Sequence, residues 1–159
     1  MRTGARALAA ALVVVALPVT VAMAGSPNDR VTGGGQTLIG TQGAGNTIAF
    51  TAQGTSDAAK GQVQVVDRSA GTGQSQDGWH GVVDCLAVSG NAAEIIGHKR
   101  DDPADLFSVY VMDNGEGVAA DNDLVLLNED PDDTCGIDDD DDDAAVELAR
   151  GNAQVYDAP

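Results

Sequence analysis

Beyond residue 24 the apolar positions fall in short or alternating runs separated by Gly, Asn, Asp and Ser, and no long stretch keeps a helical period. Thr47 to Thr51 and Gln62 to Val66 read as strands joined by a turn over Thr55 to Lys60, with Val63 and Val65 on one face of the second. In Trp79 to Ser89, strict alternation sets Val83, Cys85 and Ala87 against Val82, Asp84, Leu86 and Val88. With Leu86 and Val88 as the apolar face, Cys85 points the other way. Gly90-Asn91 then predicts a hairpin into Ala92 to His98. Leu106 to Met112 fits a strand best of all, Leu124 to Leu127 reads as a short buried strand, and Val146 to Leu148 and Ala153 to Tyr156 as two closing strands. An earlier strand near Arg30 to Thr32, or across Gln36 to Ile39, is weakened by Gly33-Gly34-Gly35. About eight strands with short connections predict an all-β fold, an antiparallel β-sandwich or barrel, because one open sheet would leave an apolar face and its edges uncovered.

The first 24 residues differ in kind. Arg2 and Arg6 precede an apolar run from Ala7 to Val21, and Ala22-Met23-Ala24 places small residues where a signal peptidase reads them. The run is short of the roughly 20 residues a membrane-spanning helix needs. The expectation is a cleaved signal peptide over 1–24 and a single β domain over 25–159, secreted to the extracellular side. With no lipid-accepting Cys near Ala24, and neither an apolar tail nor a basic stop at Tyr156 to Pro159, the product is expected to be released without an integral membrane anchor.

Removing Arg2 and Arg6 from the eight basic residues leaves six against 25 acidic ones, a formal charge of −19. That balance argues against nucleic acid and anionic membrane surfaces, which reward clustered Lys and Arg. The basic cluster His98-Lys99-Arg100 is followed at once by Asp101-Asp102. Cys85 and Cys135 are the two cysteines, and an even count in an exported chain predicts a disulfide. Closing a loop of about 50 residues stabilises a domain by about 4 kcal/mol in the chain-entropy picture.

Two stretches are rich in oxygen ligands, the loop containing Asp113, Glu116, Asp121 and Asp123 and the acidic loop 129–143. Calcium takes six to eight oxygens from such loops. The first four residues are therefore candidate calcium ligands, although no cofactor is required for folding. Asp138 to Asp143 lacks the glycine and distant glutamate of a helix-loop-helix site and reads as a solvated run. The histidines, His80 and His98, fall at a strand start and a strand end, and Ser75 lacks the second glycine of a hydrolase elbow. Gly33 to Gly35 and Gly40 to Gly45 lack the lysine of a phosphate loop. Phe50, Phe107 and Trp79 read as core or rim anchors.

Taken in order, Val31-Thr32-Gly33-Gly34-Gly35, Ile48 to Ala52, Lys60 to Asp67, Val88 to Ala93, Tyr110 to Glu116 and Gly151 to Val155 resemble the post-COAP domain of exported actinobacterial proteins. The resemblance spans nearly the whole mature chain; the acidic stretch 129–143 and Arg150, where a further glycine is usual, depart from it. It implies a small β module with no catalytic residues to carry over. The expected role is thus binding or structural, toward an extracellular or cell-wall ligand. The other class is a small secreted hydrolase using surface carboxylates or His80. N-terminal sequencing of the secreted protein should begin at Gly25, and retention of Met1 to Ala24 on the exported product would refute the signal.

Overall fold

The computed structural model describes residues 28–37, 45–66, 78–116, 120–129, 131, 134–137 and 144–159. The expected signal peptide and the Asp138 to Asp143 run lie outside them. Eight strands follow in chain order: β1 (Asp29–Thr37), β2 (Thr47–Thr55), β3 (Ala58–Val66), β4 (Gly78–Ser89), β5 (Ala92–Lys99), β6 (Leu106–Met112), β7 (Leu124–Asn128) and β8 (Val146–Tyr156). Each pairs antiparallel with its neighbours in sequence and β8 returns to β1, so the sheet closes into a barrel. Of the two architectures expected, the barrel is the one formed.

Alternation in β2 and β3 turns Ile48, Phe50, Ala52, Val63 and Val65 inward, where all are buried, and leaves Ala49, Thr51, Gln53, Lys60, Gln62 and Gln64 exposed outside. The interior is the apolar core, shared with Val31, Leu86, Ile95, Phe107, Val109, Val111, Val125, Leu148 and others. A barrel that crosses a bilayer presents an outward apolar band, and the outer positions of β2 and β3 do not form one. Among the described residues no helix is long and apolar enough to cross a membrane.

The structure corrects the sequence reading at four places. β1 runs straight through Gly33-Gly34-Gly35, which pair with Phe50, Ala49 and Ile48 on one side and Ala153, Asn152 and Gly151 on the other. A Cβ at Gly33 would lie 2.9 Å from the Phe50 ring and one at Gly35 2.8 Å from Leu148 Cγ, so the missing side chains make room for large neighbours inside the barrel. The turn after β2 tightens to Ser56-Asp57, and the two expected closing strands are one, β8. Finally, β4 does not alternate strictly. Its register against β5 slips between Val83 and Cys85, so Asp84 is an extra residue and both Val83 and Leu86 face the core while Cys85 keeps the outer side. The hairpin at Gly90-Asn91 forms as expected, with Gly90 at φ 62°, a left-handed conformation that glycine adopts without a steric penalty.

Phe107, fully buried, lies against the glycines of the β4–β5 wall. A Cβ at Gly81 would overlap its ring, and one at Gly97 would meet the Val82 carbonyl and come within 2.8 Å of Phe107 Cζ. On the outside of the same wall Cys85 is bonded to Cys135, and the Gly136 N–H donates to Glu94 Oε2 at 3.1 Å. The 134–137 stretch is thereby fastened to the outer face of β4 and β5. Ile96, Ser108 and Tyr110, which also face outward, are at most 7% exposed, so this part of the sheet is buried on both sides.

Gly97→Ala is expected to lower the unfolding free energy measured by urea titration by about 1–3 kcal/mol through overpacking. Gly136→Ala, whose Cβ would meet nothing within 4 Å, should stay within about 0.5 kcal/mol of the parent in the same urea titration.

Candidate functional site

The oxygen-rich loop between β6 and β7 meets β8 where strand pairing runs out. β7 and β8 share the pairs Leu124↔Glu147 and Val125↔Val146, yet β8 continues to Tyr156. Asp123, 5% exposed, accepts the Asn114 N–H at Oδ1 (3.0 Å) and the Ala153 N–H at Oδ2 (2.6 Å), while its carbonyl accepts the Leu148 N–H (2.8 Å). Asp113 Oδ2 accepts the Val155 N–H at 3.1 Å, and its Oδ1 accepts the Gly115 N–H at 2.8 Å. The two carboxylates thus stand where a neighbouring strand's carbonyls would otherwise be. They satisfy two alternate donors of β8. Glu116 Oε1 accepts from Gln154 Nε2 at 2.8 Å and Asn152 Nδ2 at 3.4 Å, whereas Asp121 is exposed. Asp113, Glu116 and Asp123 therefore converge on β8 and are engaged with protein N–H donors. Among the described residues no three His, Cys, Asp or Glu side chains are grouped to hold a metal ion.

Both histidines lie on the outer face of the β4–β5 wall, His80 level with Arg100, whose N–H donates to its carbonyl, and His98 two residues earlier on β5. His80 is exposed on the outer face of β4 beside a shallow hollow of about 180 Å³ that Thr51, Gln62 and Gln64 also line. His98, opposite Val82 on the outer face of β5, has its Nδ1 2.6 Å from Asp84 Oδ2. The extra residue in β4 is the one that makes this contact. Nothing in a residue spacing of 14 announces such a pair, because a bulge is not visible in the alternation.

One end of the barrel carries a cavity of about 560 Å³. Register sets Ile48, Val65 and Trp79 in a row across β2 to β4, and Val125, Leu127 and Val146 continue the apolar lining on β7 and β8, with Thr37 and Asn46 beside them. Lys99 reaches the same mouth because it follows Ile95 and Gly97 at two-residue steps along the inward face of β5. Its ammonium is 3.0 Å from Asp105 Oδ2, 3.8 Å from Glu129 Oε1 and 5.2 Å from the centroid of Trp79. Trp79 Nε1 donates to Glu129 Oε1 at 2.7 Å, and its ring meets Phe107 at a centroid distance of 4.9 Å. Trp79 is thus a rim anchor, as expected, engaged by a ring, a cation and a carboxylate. Sequence reading saw Lys99 only as part of a basic cluster. Counting by twos from Ile95 was the available signal.

The fold and site define a small, disulfide-tied, eight-stranded antiparallel barrel whose described residues line a cavity at one end. No protein-family model, curated protein or solved structure matches the chain.

Asp123→Ala should cost on the order of 3 kcal/mol, since it strands the Asn114 and Ala153 donors. It should also speed hydrogen exchange at the Ala153 amide. Asp121→Ala, at an exposed position, is expected within about 0.5 kcal/mol of the parent. Equal losses for both variants would show that the loop does not support β8 in this way.

Proposed function

We propose that this chain is an exported β module of the post-COAP type with a binding role at the cell exterior, working after removal of residues 1–24. The cavity that the described residues line at one end of the barrel is the observation that carries the binding role. It joins an apolar hollow of about 560 Å³ to a polar edge made by Trp79, Lys99 and Glu129, the composition of a small-molecule site rather than of a solvated surface. The Cys85–Cys135 bond fits an oxidising compartment. The hydrolase alternative has weaker support, because His80 stands exposed among Thr51, Gln62 and Gln64. Soluble or wall-bound ligands are the expected partners, and nucleic acid is disfavoured by a charge of −17 on the full chain. Calcium is not required in this reading, since Asp113 and Asp123 already accept backbone N–H groups.

Expressed with its own leader, the protein should appear in the medium with no titratable thiol, and the purified product should retain a ligand in a screen of wall glycans and small extracellular molecules. Retention inside the cell with two free thiols would defeat the exported reading. Failure to retain any ligand would defeat the binding role. Millimolar calcium is expected to leave the melting temperature unchanged, and a chelator-reversible rise would assign the loop a cation after all.

A further inference from the structure

We propose that the barrel mouth binds a small, uncharged, mainly apolar molecule whose single hydrogen-bonding group lies at the Trp79–Lys99–Glu129 edge. The inference rests on the binding role above and specifies its ligand. Volume is the first argument: about 560 Å³ lies within the roughly 300–1,000 Å³ of sites that enclose small molecules. An eight-stranded barrel has an interior just wide enough to be filled by side chains or to hold one small ligand. Here Phe107, Phe50 and Leu86 occupy interior space, and Ile48, Val65, Val125, Leu127 and Val146 line the hollow.

Charge selects the class. Lys99 could attract an anion, but Asp105 at 3.0 Å and Glu129 at 3.8 Å already answer its charge, and the acidic chain as a whole repels one. A cation would have to leave water for an apolar lining, and the carboxylate that lines the hollow among the described residues, Glu129, has its Oε1 engaged with Trp79 and Lys99. An uncharged molecule meets neither cost. What remains is an uncharged apolar body inside, with a hydroxyl or carbonyl at the polar edge.

Trp79 is the sole tryptophan and stands at the mouth, so it reports occupancy directly. The disulfide-bonded mature protein is titrated with N-phenylnaphthylamine, an uncharged apolar fluorophore excited by tryptophan emission, and the probe is then displaced with dodecanol, dodecanoate or dodecylammonium. Energy transfer from Trp79 is expected, with dodecanol displacing the probe at least roughly tenfold more effectively than either ion. Val146→Arg, at a half-buried rim position, should weaken probe binding by roughly tenfold or more, and Val146→Phe should weaken it by filling the hollow without adding charge. Tyr156→Ala, at an exposed outer position, should not change it. Glu129→Gln should narrow the preference for dodecanol over dodecanoate. Near-ultraviolet circular dichroism identifies any variant that fails to fold. Absence of energy transfer, binding indifferent to both folded Val146 variants, or stronger displacement by an ion would overturn the inference. If the exported protein still retained wall glycans after such a result, the binding module would stand and only its mouth ligand would fall.

Discussion

Closure of the barrel depends on how the last strand is held at the seam with β7, where two residue pairs carry the ladder and carboxylates complete it. Asp123 holds Ala153 and Asn114 at once, and Asp113 holds Val155, so the edge of β8 is met by side chains where β7 does not reach. Buried backbone donors left without acceptors cost on the order of 1–3 kcal/mol each, comparable to a sizeable part of a small domain's net stability. On its other side β8 pairs with β1 from Arg30 to Thr37, and this ladder runs along the glycines that let Phe50 and Leu148 pack inside. Seam and core are therefore one structure. If β8 moved away from the loop, it would disturb the wall against which the interior side chains rest.

The opposite wall is secured differently. Glycine at positions 81 and 97 leaves room for Phe107, and Phe107 in turn meets Trp79 at the mouth. On the outer surface the Cys85–Cys135 bond and the Gly136 to Glu94 hydrogen bond hold part of the acidic loop against β4 and β5. That loop begins at Glu129, whose carboxylate joins Trp79 and Lys99. One segment thus reaches both the outer face and the polar edge of the cavity. The stapled wall supplies the anchors of the mouth, while β2 and β3, with polar outer positions, supply part of its apolar lining through Ile48 and Val65.

Legibility followed the strength of local pattern. Leu106 to Met112 was readable to the residue because every second side chain is large and apolar, and the hairpin at Gly90-Asn91 was readable because its turn chemistry is explicit. β1 was not, since glycine carries no hydrophobic pattern and its place there depends on Phe50, Leu148 and β8, which are distant in sequence. The slip at Asp84 was hidden for a related reason: one additional residue reverses the face of everything after it without altering composition. Among the candidate site residues, the disulfide was legible from the even cysteine count. Asp113 and Asp123 were legible as important acids, but their partners are main-chain groups of β8 that no motif encodes.

By itself the sequence determined an acidic, all-β domain with paired cysteines, because charge, cysteine count and two-residue periodicity are local properties that survive without a fold. Only the tertiary structure decided that the strands close into a barrel, that Asp123 and Asp113 complete its seam, and that Trp79, Lys99 and Glu129 meet at an apolar mouth. Those outcomes depend on register between strands far apart in the chain. Register is set by the joint packing of the whole interior, not by any segment alone.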